Sequence, residues 1–222
     1  MSIEKSFIKT FNWILTIFFP IECLGCNKEN SYFCDDCLKQ IPLHKTIEKF
    51  EHPLIYLDNV LTATDYKYQL IQKAIHLLKF RFIKELADPL TGLLINYINL
   101  INFDLAGFMI IPVPLNKKRL LERGFNQSEL IAKIFAKHFN LVIRTDIVKR
   151  SKNTPHQVGL NKKARQTNIK DAFEICQTDF IQNKKIILID DVVTTGSTLE
   201  EIAKTLKQSG AQKIWGLTIA KD

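Results

Sequence analysis

Apolar positions along this chain follow two rhythms, short unbroken runs and longer stretches that repeat every three or four residues. Ile186–Ile189, Phe108–Pro114 and Ile214–Ile219 are unbroken runs of strand length, rich in β-branched residues, as strands buried on both faces are. Asn59–Tyr66 and the shorter Asp146–Arg150 add two more expected strands. Helical spacing predicts a helix over Tyr68–Lys79, through Leu70, Ile71, Ala74, Ile75 and Leu78, and a second over Ile83–Ile98. Leu130, Ile131, Ile134 and Phe135 predict a third over Ser128–Phe139, and Leu199, Ile202, Ala203 and Leu206 a fourth after Ser197. Ser197 and Glu200 stand in capping-box spacing at the start of that last helix, with Gly210 at its C-cap.

The ends of the pattern are less regular. Residues 1–19 keep helical spacing through Phe7, Ile8, Phe11, Ile14, Leu15 and Phe18, which predicts one amphipathic helix. It is expected to pack against the cysteine-rich segment that follows; the alternative is a membrane interface through residues 5–19, which a polar face with only two lysines favours less. The apolar stretch is too short to span a bilayer, and Pro20 followed by cysteines replaces a signal-peptide cleavage site. Residues 38–58, with Pro42 and Pro53, read as a linker, and Ser151–Thr167 is polar, basic and aperiodic. A loop of that length inside a compact domain is usually functional. The prolines after the Phe108 run stop that strand and hand over a stiff turn.

A chain of 222 residues, 46% hydrophobic and 24% charged, has room for one α/β domain and a small appendage. Charge sharpens this picture. Leu115–Lys170 holds 14 Lys/Arg against 3 Asp/Glu, an excess of 11 within a chain whose net charge is +8. Such a belt suits a pyrophosphate-bearing substrate or a nucleic acid, and a plain solvated surface is the alternative. Phe125, Phe135 and Phe139 are placed to stack bases, yet their spacing is that of core residues.

Cys23-Leu-Gly-Cys26 and Cys34-Asp-Asp-Cys37 are two Cys-x-x-Cys pairs in close succession. Four thiolates close tetrahedrally around Zn²⁺ and leave no open position, so the expected site is structural, held by Cys23, Cys26, Cys34 and Cys37. A redox dithiol needs only one such pair near a βαβ unit. Cys176, the fifth cysteine, is expected in the core, and reduced thiols imply a cytoplasmic setting.

The Ile186 run ends in Asp190 and Asp191, followed by Thr194-Thr195-Gly196-Ser197-Thr198 and a helix. A strand, a hydroxyl-rich turn and a helix N-terminus make an anion site. Two carboxylates at its mouth suit a ligand that also brings sugar hydroxyls or Mg²⁺. A Walker loop is excluded, because no lysine follows Gly196.

These residues resemble the phosphoribosyl pyrophosphate (PRPP) signature of type I phosphoribosyltransferases. With the four cysteines, Ile111-Pro-Val-Pro-Leu115, Glu122-Arg-Gly-Phe-Asn-Gln127 and the weaker Leu78-Lys-Phe80, the chain from Pro20 onward resembles the ComF family. That resemblance implies a parallel sheet flanked by helices, with ligand at the carboxyl ends of the strands. With the helix expected from periodicity over 1–19, to which the resemblance does not extend, it divides the chain into a zinc module over 20–45 and a phosphoribosyltransferase-like domain over 55–222. Asp190 and Asp191 are implied to hold the ribose hydroxyls, and Thr194, Thr195, Gly196, Ser197 and Thr198 the 5-phosphate. Arg123, then Arg119 and Lys118, are the candidates for pyrophosphate, with Mg²⁺ bridging ligand oxygens.

Two functions follow. One is PRPP binding coupled to DNA uptake, with single-stranded DNA on Lys162, Lys163 and Arg165 and contacts to the uptake machinery. The other is a salvage-type enzyme that transfers phosphoribose to an unidentified acceptor and has no nucleic-acid role.

Overall fold

A computed structural model describes residues 20–47, 50, 54–151, 169 and 171–222. The expected N-terminal helix, and Lys162, Lys163 and Arg165, lie outside the described residues. The chain divides into two compact units, Met1–Ile41 and Pro42–Asp222.

In the smaller unit the chain doubles back on itself. Cys23 N–H donates to Lys28 O at 2.9 Å, Asn27 N–H to Cys23 O at 2.9 Å, and Glu22 and Glu29 form an antiparallel bridge. Asn27 and Asn30 adopt φ of 60° and 76°, a conformation that asparagine tolerates better than most residues. A short helix, α1 (Asp35–Lys39), starts directly after Cys34.

The larger unit is built on a five-stranded parallel sheet. Its strands are β1 (Asn59–Asp65), β7 (Lys213–Lys221), β6 (Lys185–Val193), β2 (Phe108–Pro112) and β3 (Val142–Ile143), in that spatial order. β4 (Val148–Arg150) and β5 (Phe173–Ile175) pair as a separate antiparallel ribbon. The helices are α2 (Gln69–Phe80), α3 (Ala87–Leu100) after a 3₁₀ turn over Lys84–Leu86, α4 (Lys117–Arg123), α5 (Gln127–His138) and α6 (Ser197–Gln208). The four long helices fall within a few residues of the spans expected from periodicity.

Alternation along each strand sends side chains to two layers. On one side Met109, Ile111, Ile186, Leu188 and Ile214 pack with Leu199, Ile202, Ala203 and Leu206 of α6 and with Val148 and Phe173 of the ribbon. On the other, α5 covers β2 and β6, and α3 covers β1 and β7. Each fully buried Leu, Ile or Phe of these layers contributes roughly 1.5–3 kcal/mol of transfer free energy. The outer edge of β1 is capped by the chain just before it: His44 N–H donates to Ala63 O at 2.9 Å and Thr64 Oγ1 to Pro42 O at 2.7 Å. That cover explains why an edge strand is buried along its length.

Connectivity fixes where a ligand belongs. From β2 the chain moves through α4 and α5 outward to β3, whereas from β6 it moves through α6 the opposite way to β7. The crevice between the carboxyl ends of β2 and β6 is therefore the topological switch point of the sheet.

Several local expectations change. β6 runs on through both aspartates to Val193, because Asp190 and Val192 remain in register with Thr218 and Ala220 of β7. The basic stretch after Pro114 is a helix, α4, in place of a stiff turn. Asn116 Oδ1 accepts from Arg119 N–H at 2.8 Å as N-cap, and Gly124 closes the helix at φ 71°. The capping box at Ser197 does not form. Gly196, at φ 72°, is the N-cap, and the Glu200 carboxylate instead accepts the backbone N–H groups of Ile55, Tyr56 and Leu57 at 3.1–3.2 Å. Gly210 does follow the α6 C-cap, with Ala211 N–H returning to Leu206 O and Gly210 N–H to Lys207 O. Cys176 is exposed, in contrast to the core position expected, because alternation along β5 turns Phe173 and Ile175 toward the layer and leaves Cys176 outside.

Candidate functional site

Both acids of β6 are engaged by neighbours. Asp190 Oδ1 accepts from Ser128 Oγ at 2.7 Å and from Asp191 N–H at 2.9 Å. Asp191, with 4% of its side chain exposed, accepts Val192 N–H at 2.8 Å through Oδ1. Its Oδ2 lies 2.8 Å from the Lys79 ammonium, off the line that a hydrogen bond requires, so this contact is an ion pair only. Burial and the Asp191 charge push the Asp190 carboxyl up to about 7, against the pull of the Ser128 hydroxyl and Lys79. Protein packs densely around Asp190, yet part of its surface stays open to solvent, as a ligand-facing group requires.

Three arginines stand within electrostatic reach of this pair. Desolvation lowers Arg119, Arg123 and Arg150, while the charge of Asp191 supports the first two and that of Asp190 the third. Arg123 donates to Gln127 Oε1 at 2.8 Å, and its guanidinium lies 5.4 Å from the centre of the Phe80 ring. Lys118, on the same short helix, is exposed to solvent.

The Arg-Gly-Phe-Asn-Gln-Ser run is thereby explained residue by residue. Arg123 faces the acids and Gly124 supplies a left-handed turn, while Phe125 is 7% exposed and Lys84 lies over its ring. Asn126 caps α5 through Ser128 N–H at 3.1 Å and donates to Val113 O at 2.9 Å, tying the end of β2 to the start of α5. Ser128 then reaches Asp190. Phe125 and Phe135 are core side chains, so neither is available to stack a base.

Thr194–Thr198 forms the turn between β6 and α6. Thr195 Oγ1 and Ser197 Oγ lie 2.7 Å apart, at the N-terminal end of the twelve-residue α6. A Cβ on Gly196 would meet the Phe50 ring at 2.9 Å, so only glycine fits this corner without displacement. Donors, dipole and cations suit a polyanionic ligand, and the acid pair suits a sugar diol or a hydrated Mg²⁺.

Sequence reasoning did not single out Lys79, Ser128 or Arg150. Each sits on an element remote in sequence from Asp190, and only folding brings them together. Among the three, Lys79 lay within the Leu78-Lys-Phe80 motif, and that was the available signal.

In the smaller unit the Sγ atoms of Cys23, Cys26, Cys34 and Cys37 all lie within 4.8 Å of one another, with Cys34 3.7 Å from Cys23 and 3.5 Å from Cys26. A tetrahedron of thiolates about 2.3 Å from Zn²⁺ has sulfur–sulfur edges of about 3.8 Å, so the four residues fit that ion. Burial opposes ionisation of Cys23, but backbone donors led by Cys34 N–H outweigh it and lower the thiol to about 6. His44 takes no part, because its ring bonds Thr62 O at 3.0 Å and Asp65 at 3.3 Å. No helix among the described residues is long and apolar enough to cross a membrane.

Comparison with known proteins bears on the family. Residues 126–221 match the phosphoribosyl transferase domain model, which takes in Ser128, the acid pair and the Thr-Thr-Gly-Ser-Thr turn. Competence protein F of Haemophilus influenzae is 41% identical over 114 residues, 50% of this chain and 50% of the relative, so the match spans about half its length. DNA utilization protein YhgH of Shigella flexneri is 35% identical over 164 residues, 71% of this chain and 70% of the relative. Competence protein ComFC of Bacillus subtilis is 34% identical over 104 residues, 46% of this chain and 40% of the relative. With a phosphoribosyltransferase-type domain behind a four-cysteine cluster, and a relative matched over more than two thirds of its length, the chain belongs to the ComF family.

Proposed function

We propose that the protein binds PRPP with Mg²⁺ at the switch point between β2 and β6, and that this binding serves the handling of single-stranded DNA during its uptake. The observation that carries the first half is the convergence on Asp190 and Asp191 of four cations, Lys79, Arg119, Arg123 and Arg150, beside a hydroxyl-rich helix N-terminus. Asp190 and Asp191 hold the ribose 2- and 3-hydroxyls, Thr194–Thr198 cradles the 5-phosphate, and Arg123 with Arg119 faces the pyrophosphate. Mg²⁺ held at this site would supply charge neutralisation to the pyrophosphate, beside Arg119 and Arg123. The chain's own residues orient the ribose and exclude water around C1.

Support for the second half comes from the basic belt over 115–170 and from the printed names of the relatives, which refer to competence and DNA utilization. A strand is too large for a pocket that fits one ribose and three phosphate groups, so it is expected to lie along the basic residues of 115–170, outside the pocket.

Isothermal titration with PRPP and Mg²⁺ tests the site. Wild type is expected to bind one equivalent, and an Asp190→Ala, Asp191→Ala double variant is expected to lose at least about tenfold in affinity. Equal binding by the two proteins rejects the site. A second reading is transfer to an acceptor with no nucleic-acid role, and the ionisable Asp190 near neutral pH favours it. Pyrophosphate release from PRPP on adding candidate nucleobases distinguishes it.

A further inference from the structure

Asp191 Oδ2 is a buried carboxylate oxygen that receives no hydrogen bond, although an ammonium lies 2.8 Å away. Buried acceptors are almost always satisfied, so one left without a donor calls for an explanation. Lys79 reaches it from the last turn of α2, and the lysine is 22% exposed. Its contact supplies charge without hydrogen-bond geometry, as a point cation does. A lysine, unlike an arginine fork, is a compact charge on a flexible stem and relocates at little cost. Once displaced, the ammonium would still face the negative end of α2. Arg119 and Arg123 from α4 act on Asp191 electrostatically, while Ser128 from α5 and Arg150 from β4 act on its neighbour Asp190.

We infer that Lys79 is a tethered counter-ion: its ammonium holds the place at Asp191 that a divalent cation takes, and the incoming cation displaces it. The inference rests on the reading that Mg–PRPP docks at Asp190 and Asp191, and it adds that the cation enters at Asp191 Oδ2, beside the ribose hydroxyls. Its consequence is that the free protein resists metal alone. A divalent ion must first expel a charge of like sign, whereas an ion arriving with a polyanion offers that ammonium new partners. Lys79 is thus a positioning residue that couples metal to anion.

The experiment uses the full chain with zinc in place and Mn²⁺ as the probe, without PRPP, with free Mn²⁺ followed by electron paramagnetic resonance. Lys79→Met is expected to bind one Mn²⁺ at least about tenfold more tightly than wild type, since a like charge within a few ångströms is gone. Adding Asp191→Asn to that variant is expected to remove the gain. Unchanged or weaker Mn²⁺ affinity in folded Lys79→Met overturns the inference, and so does a gain that survives Asp191→Asn. Should Lys79→Met fail to fold, wild type supplies a second readout, acetylation of Lys79 measured by mass spectrometry against exposed Lys45. Saturating Mn²⁺ is expected to raise the Lys79 signal relative to Lys45, and no rise overturns the inference. PRPP enters none of these measurements, so they stand or fall separately from the titration above.

Discussion

Ser128 donates its hydroxyl to Asp190 across 2.7 Å and 62 positions of sequence, joining the first turn of α5 to the carboxyl end of β6. It stabilises the ionised form of a carboxyl that burial and Asp191 push the other way. Loss of that donor in Ser128→Ala is expected to move the pH midpoint of Mg–PRPP binding upward by about one unit from the wild-type value near 7. Titration calorimetry from pH 5.5 to about 9 reads the midpoint, and an unmoved profile would place the titrating group elsewhere.

Stability should fall with pH on account of the same carboxyl. Asp190 rises from 3.8 to about 7 on folding, so between those values the folded chain holds a proton that the unfolded chain has released. The contribution is full below pH 4 or so and is lost as pH rises through about 7. Three units at about 1.36 kcal/mol each give about 4 kcal/mol, which partial exposure reduces to about 2. Denaturant melts of wild type and Asp190→Asn at several pH values check this, because the difference between them should grow by that amount from pH 4 to pH 7.

The cysteine module should carry one Zn²⁺. Cys34→Ser is expected to abolish zinc in metal analysis and to expose residues 20–41 to protease, while 42–222 persists as a resistant fragment with its own core. Less than half an equivalent in chelator-free wild type would reject the site.

Two glycines with nearly the same φ separate strain from crowding. Gly124→Ala, at φ 71° with nothing near its Cβ, is expected to cost about 1 kcal/mol from backbone strain alone. Gly196→Ala, at φ 72° against the Phe50 ring, is expected to cost about 1 kcal/mol more and to weaken PRPP binding as well. Equal melting temperatures for the two variants would show that Phe50 yields freely.

The basic belt has its own test. Lys162, Lys163 and Arg165 replaced by glutamate should weaken oligonucleotide binding alike for every sequence and flatten the salt slope by about one unit per lost contact. Zinc content and PRPP affinity should not change. Binding as tight as wild type at low salt would make the belt a solvated face.

Periodicity predicted the long helices and the β-branched strands because each buries one face or both, and burial leaves its mark on local spacing. Asp190, Asp191 and the turn that follows were legible for a similar reason, being contiguous. What spacing could not convey were partners supplied by other elements: Lys79 from α2, Ser128 from α5 and Arg150 from β4. Glu200 shows the limit most plainly. Its position three residues after Ser197 fits a local cap, yet tertiary packing offers it three amides at 55–57, which outbid the two ends of one helical turn. Helix α4 was missed although Asn116 and Gly124 mark its ends, because its seven residues bury no side chain and so carry no apolar rhythm.

The order of the strands also governs when the sheet can exist. β7, the latest in sequence, lies between β1 and β6, and Asn59 pairs with Trp215 across more than 150 residues. During synthesis β1 emerges early but finds no strand partner until β7 has left the ribosome, so its edge must wait, shielded by the segment over Pro42–His44. Closure of the sheet, and with it the alignment of the acid pair, is a late and highly non-local event, which marks this domain as a slow folder with a need for protection before its last strand arrives.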